Sequence, residues 1–287
     1  MLAAVNASPP PPEPSVNLLE RIAAALERLA PPPPPAPDFS LAVAFRYSPE
    51  RRFEPAPPYP LALDLLIGIE AQKRLVVEAL GRFAARLPAN HILLWGARGA
   101  GKSSLLKAAA AAEASRTAAL KLVEIDRDEL GRLPALFETL RPRAERFIVF
   151  CDDLSFEAGA DAAKSLKSAL EGGVFGAPEN VLFAATSNRR HLAPERHDED
   201  QGLLASAESA EETVSVSDRF GLWIGFPPMS QPDYLEAVRG YARRFALESR
   251  DLDRRALQWA QRRGGRSGRT AWQFIRDIAG EAGRALP

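Results

Sequence analysis

One cysteine, Cys151, and three histidines are all that 287 residues provide of the side chains most often used for disulfides and transition metals. A single thiol excludes an intramolecular disulfide framework and fits a reducing compartment. Long hydrophobic runs are also missing: no stretch approaches the ~18 uncharged apolar residues that span a bilayer. The first residues, Met-Leu-Ala-Ala-Val-Asn-Ala followed by prolines, lack the basic start and apolar run of a signal peptide. The expectation is a cytoplasmic protein with no membrane partner. Charge of one sign is lacking as well, since Lys+Arg and Asp+Glu both number 37. Bulk charge therefore implies no nucleic-acid partner. His91 and His191 have no partner at catalytic spacing. Trp95, Trp223, Trp259 and Trp272 show no interleaving with basic residues of the kind that stacks nucleotides. All six read as structural, and no internal repeat is present.

Proline, by contrast, is plentiful at the start. Runs at 9–12 and 31–35 read as extended, semi-rigid spacers, because polyproline cannot hydrogen-bond into helix or sheet. Between them, residues 17–30 place Leu18, Ile22, Leu26 and Leu29 on one helical stripe, with Asn17 and Glu20 spaced as a capping box. A lone helix this short is marginal in water, so it must dock, either on its own domain or on a partner. Residues 1–60 are read as a Pro-rich extension.

From residue 61 the pattern changes to alternating helix-like and strand-like segments. Apolar strands are expected at 91–95, 120–126, 146–151, 181–187 and 222–226, with helices at 72–87, from the 96–103 loop to about 113, to about 140, and at 161–170. The alternation predicts a mostly parallel five-stranded sheet between helical layers, an αβα core over 61–228. After Pro227-Pro228 only helices follow, near 231–247, 252–263 and 270–283, which predicts a small all-helical domain at 229–287.

Within this frame, Gly96-Ala97-Arg98-Gly99-Ala100-Gly101-Lys102-Ser103 fits G-x-x-x-x-G-K-[ST] at every specified position. A strand precedes it and a helix opens after it. The glycines let backbone N–H groups close round a phosphate lying on the positive end of the helix dipole. Lys102 would reach the β/γ-phosphates and the Ser103 hydroxyl would enter a Mg²⁺ shell, with Ser104 completing the nucleotide-binding set. The pattern implies a bound nucleoside triphosphate.

The strand at 146–151 ends in two carboxylates. Asp152 is the metal-side candidate, and Asp153 stands where a carboxylate can orient and deprotonate a water; the bland alternative is that Asp153 caps the next helix. Asn188, after the strand at 181–187, can hold that water in line. Arg219 and Arg269 each offer a guanidinium to phosphate charge. The stretch 152–216 carries thirteen acids against five bases, and 229–287 twelve arginines against seven acids. The second bias fits either a solvated bundle face or a polyanion-facing surface. The polar stretch 194–213, including Arg196-His-Asp-Glu-Asp200, reads as a solvated loop.

Taken in order, these parts resemble an AAA+ ATPase across residues 61–282. The wording of Leu93-Leu-Trp-Gly-Ala-Arg-Gly-Ala-Gly-Lys-Ser103, Cys151-Asp-Asp-Leu-Ser-Phe-Glu157, Ser217-Asp-Arg-Phe-Gly-Leu222 and Ser267-Gly-Arg-Thr270 is similar to a bacterial group, the domain of unknown function 815. The resemblance implies ATP held between core and helical lid, and Ile67-Gly68 lining the adenine pocket. It implies Asn188 as sensor 1, Arg219 as a finger completing a neighbour's site in a homo-oligomer, and sensor 2 at Arg269 or Arg266. The usual second acid of the Walker B strand is glutamate; Asp153 is one methylene shorter, which predicts slow hydrolysis. Two roles stay open: an ATPase that moves lid against core on an unknown protein client, or a slow ATP-dependent switch. Small-molecule phosphotransfer fits less well beside a lid and a finger. Nucleic-acid loading stays open through the arginine-rich C-terminus.

Overall fold

The computed structural model describes residues 14–29, 36–50, 52–57, 59–154, 160–171, 176–188 and 218–286. The chain divides into two units, Met1–Asp38 and Phe39–Pro287. In the first, helix α1 spans Pro14–Leu29. It begins three residues before Asn17, so that residue lies within the helix and does not cap it. Leu18, Leu19, Ile22 and Leu26 are exposed on it.

The second unit is built on a seven-stranded sheet in the order β2-β1-β4-β5-β6-β3-β7. The five strands expected from the sequence are β3 (Ile92–Gly96), β4 (Leu120–Ile125), β5 (Arg146–Cys151), β6 (Val181–Ser187) and β7 (Leu222–Phe226), and all their pairings are parallel. Side chains alternate across the sheet. Leu93, Val123, Val149 and Phe183 enter one apolar cluster, whereas Ile92, Leu94, Ile148, Phe150 and Leu182 enter another. Helices α2 (Glu70–Ala84) and α3 (Lys102–Arg116) cover the second cluster. Helices α4 (Leu133–Leu140) and α5 (Ala160–Leu170) cover the first. Strands buried on both faces read as mostly apolar runs, which is why β3, β5 and β6 stood out.

Two further strands correct the five-strand expectation and the start of the core at residue 61. β1 (Ala44–Ser48) pairs antiparallel with β2 (Arg52–Ala56) and parallel with β4. Phe39, Phe45 and Phe53 anchor this hairpin, with Phe39 set edge-on to Phe45, Phe53 and Phe147 at 4.7–5.2 Å between ring centres. Pro55 is tolerated because β2 is the outermost strand and owes no ladder bond on its free side. Embedded in proline-rich sequence, so short and mixed a pair of strands gives no clear period.

Helices α6 (Gln231–Arg244), α7 (Leu252–Arg262) and α8 (Gly268–Glu281) form the lid around their own cluster, which includes Tyr234, Val238, Ala256, Phe274 and Ile275. Burying each of the larger side chains contributes roughly 1.5–3 kcal/mol. Tyr234 is fully buried, and its hydroxyl donates to Ala256 O at 3.0 Å. Ser230 and Ser267 cap α6 and α8 by accepting from Asp233 N and Thr270 N. Leu65, from the chain before α2, is buried in this lid cluster.

Candidate active site

β3 ends at Gly96, where φ is 138° and a Cβ would stand 2.3 Å from Phe226 O on β7. No other residue fits there. Gly99 and Gly101 are left-handed at φ 76° and 97°, and Gly101 caps α3. The chain thus turns from strand to helix with Lys102 at the helix start. Lys102 is buried, and its Nζ donates to Gly96 O at 2.7 Å, Ala97 O at 3.0 Å and Asn188 Oδ1 at 3.1 Å. Burial pulls its pKa below the usual lysine range. Asp152 and Asp153 oppose that shift, while Arg269 and Arg98 add to it.

β5 and β6 deliver the remaining groups from adjacent strand ends. Ser103 Oγ and Thr186 Oγ1 both donate to Asp152 Oδ1 at 2.5 Å. Asp153 adopts φ 54°, a conformation that aspartate and asparagine tolerate better than most residues. Its N–H donates to Thr186 Oγ1 at 2.9 Å, and Asn188 Nδ2 donates to its Oδ1. Asn188 therefore joins the lysine of one strand end to the carboxylate of another.

These groups line a cavity of about 630 Å³ between the loop and the lid. Arg98, Gly99, Gly101, Lys102, Ser103, Ser104, Asp152, Asp153, Asn188 and Arg269 all face it. Gly96, Ala97 and Ala100 shape the loop without lining the cavity. Ile67 does not line it either: its Cδ1 lies where a Cβ on Gly240 would be 2.9 Å away, within the lid's apolar cluster. Gly68, at φ 80°, abuts Asp233. The apolar lining comes instead from Tyr59, Leu61, Leu66, Tyr241, Phe245 and Trp272. Trp272 lies 5.3 Å from Tyr241 and 5.7 Å from Phe245 between ring centres, so it lines the cavity as well as packing on the lid's apolar cluster. Burial pushes the Tyr241 hydroxyl up to about 12, aided by Tyr59. Sequence reading missed this wall. Its one visible signal was Tyr241 and Phe245 at i, i+4, on one helical face.

Of the two arginines proposed for sensor 2, Arg269 lines the cavity and Arg266 does not. Arg269 N donates to Gly99 O at 3.3 Å, so the start of α8 touches the glycine loop. Arg219 stands outside the cavity, paired with Glu171 at 2.6 Å. His91 is partly buried, which lowers its pKa to about 4, and its Nδ1 accepts from Phe183 N at 3.1 Å, as befits a structural histidine. Cys151 is fully buried, and burial raises its thiol pKa. His191 and the stretch 194–213 lie outside the described residues.

The groups present fit a nucleotide with Mg²⁺. The loop passes against β7 and the start of α8 only because Gly96 and Gly99 lack Cβ atoms, and a hydroxyl and a carboxylate oxygen stand side by side, the hard donors that Mg²⁺ prefers. The model for the family described as protein of unknown function DUF815 matches residues 40–282. The chain belongs to this family. Among solved structures, the DUF815 chain is similar to the Thermotoga maritima RuvB Holliday junction branch migration motor: 19% identical, covering 79% of this chain and 67% of that one, with a TM-score of 0.55. It is also similar to a proline-to-glycine mutant of that RuvB, at 18% identity, 78% and 68% coverage and a TM-score of 0.53. These likenesses show that this chain shares the fold of RuvB. No curated protein matches the sequence.

Proposed function

We propose that this DUF815 protein is a Mg²⁺-dependent ATPase of the cytoplasm that works as a homo-oligomer on a protein client. The observation that carries the reading is the convergence of Lys102, Ser103, Asp152, Asp153 and Asn188, from three strand ends, on one cavity beside a glycine cradle. The aromatic wall would take the base, and Lys102 and Arg269 the phosphates. Ser103 and Asp152 would hold Mg²⁺, which neutralises phosphate charge when bound. Asp153 would accept a proton from water that Asn188 helps to place. The Arg219–Glu171 pair is exposed and worth at most about 1 kcal/mol, so it would yield readily to a neighbour's phosphate.

Isothermal titration with Mg-ATP tests the site: Lys102→Ala should lose binding, whereas Asp153→Asn should bind and not turn over. Full affinity in Lys102→Ala would falsify the assignment. Arg219→Ala should bind ATP normally and lose turnover, regained in part on mixing with Lys102→Ala protein. If mixed oligomers form and stay inactive, Arg219 is no trans finger. A second reading, a slow ATP-dependent switch, is favoured by the hydrogen bond that occupies Asp153. A basal rate that no partner alters would support it.

A further inference from the structure

The lid's arginines are not evenly neutralised. Four on the helix faces are paired: Arg239 with Asp253, Arg243 with Glu236 at 2.7 Å, Arg254 with Asp251 at 2.8 Å, and Arg255 with Glu281 at 2.7 Å, whereas Arg244 and Arg276 form no ion pair among the described residues. Arg284 donates to Phe245 O and Ala246 O. Such pairing is what a solvated bundle face looks like. The turn joining α7 to α8 differs. It reads Arg262-Arg263-Gly264-Gly265-Arg266-Ser267-Gly268-Arg269, and no acid occurs between Asp253 and Asp277. Arg262, Arg263 and Arg266 are exposed, lie outside the nucleotide cavity, and form no ion pair among the described residues. Arg263 is steadied over the Trp259 ring, 4.5 Å from its centre.

The backbone here is bare. Gly264 and Gly265 sit at φ 81° and 155°, and a Cβ on either would meet nothing within 4 Å. A polymer can therefore lie directly against the chain between three forked cations. All the cations of the turn are arginine, whose planar donors match phosphate bidentately and also stack on bases. Carboxylates pair with the same fork, so what favours a nucleic acid over an acidic protein is the stacking that base faces add on the planar guanidinium groups. Because the whole chain has net charge zero, any such attraction must come from this local field.

We infer that the α7–α8 turn binds the phosphate backbone of a nucleic acid, at a surface separate from the ATP cavity. The inference does not depend on hydrolysis. The turn is nonetheless fixed to the glycine loop, since Ser267 and Arg269 both abut Gly99.

Fluorescence anisotropy of a labelled single strand of ~20 nucleotides, titrated with full-length protein from about 50 mM salt upward, tests it. Binding should weaken with salt, and the Arg262→Glu/Arg263→Glu double variant should bind about tenfold more weakly with a salt slope shallower by roughly 1.4. Arg244→Glu/Arg250→Glu changes the net charge equally on exposed lid positions and should bind as the parent does. Unchanged Mg-ATP affinity in both variants reports that each is folded. No binding by the parent protein at low salt overturns the proposal. So does equal weakening in the two double variants, which would mean diffuse charge. Displacement of the strand by polyglutamate as readily as by unlabelled strand would reassign the turn to an acidic protein.

Discussion

Asn188 donates through Nδ2 to Asp153 Oδ1, and its own Oδ1 accepts from Lys102 Nζ at 3.1 Å. One amide thus spans the two groups that would meet opposite ends of a reacting phosphate. Binding needs Lys102; water activation needs Asp153. Asn188→Ala should leave the ATP Kd within about threefold while lowering turnover by about 10²-fold, because positioning is lost and charge is not. Phosphate release beside titration calorimetry separates the two. Undiminished turnover would remove Asn188 from the mechanism.

Thr186 stands in no motif that marks it as functional, yet it is buried and its hydroxyl joins both acids. Thr186→Val keeps the shape, removes the bond to Asp152 and leaves the Asp153 N–H with Asp152 Oδ1 at 3.1 Å as its acceptor, at a cost of about 1–3 kcal/mol. Urea midpoints should fall accordingly and the Mg²⁺ requirement should rise. Thr186→Ser should restore the Mg²⁺ requirement, a readout that lost packing alone would not move.

The aromatic wall makes its own prediction. Trp272→Ala should raise the Kd for ATP about tenfold, within the ~1–3 kcal/mol typical of base–aromatic stacking. Affinity for inorganic triphosphate, which has no base, should not change. Equal losses for both ligands would mean that Trp272 only supports the lid.

Phe39→Ala removes a ring buried among three others and should destabilise the unit by about 3–5 kcal/mol. By the same logic, deleting residues 1–38 should leave a folded protein, whereas deleting 1–60 should not. Denaturant unfolding followed by circular dichroism decides.

His91 contributes to acid sensitivity. Its folded pKa of about 4 lies below its ordinary 6.5, so the neutral ring favours the folded state. That contribution is complete above pH 6.5 and is lost as pH falls towards 4, where the unfolded chain takes up the proton first. The full effect is about 3 kcal/mol. His91→Gln should flatten the stability profile in that window; an unchanged profile would place the acid sensitivity elsewhere.

The loop, both carboxylates and the five strands β3 to β7 were legible because each is local. A phosphate cradle needs its glycines in fixed order, and a strand buried on both faces reads as a mostly apolar run. The parts that escaped are assembled from afar. The hairpin at 44–56 owes its place to Phe39 and Phe147, about a hundred residues apart. The cavity's apolar wall is made by lid residues Tyr241 and Trp272 facing Tyr59 and Leu66 from before the loop. Ile67, which resemblance placed on the nucleotide, turns into the lid by a single step in register from Leu66.

That turn of Leu65 and Ile67 into the lid has a mechanical corollary. The three helices are joined to the sheet once by the covalent link from β7 to α6, and again where Leu65 is buried among them and Ile67 packs against them. A door hung on one hinge can sag in any direction, whereas one hung on two swings about a single axis. The lid should therefore move with one principal degree of freedom, and its swing should lift Gly99 as it opens, since Arg269 is bonded to that carbonyl.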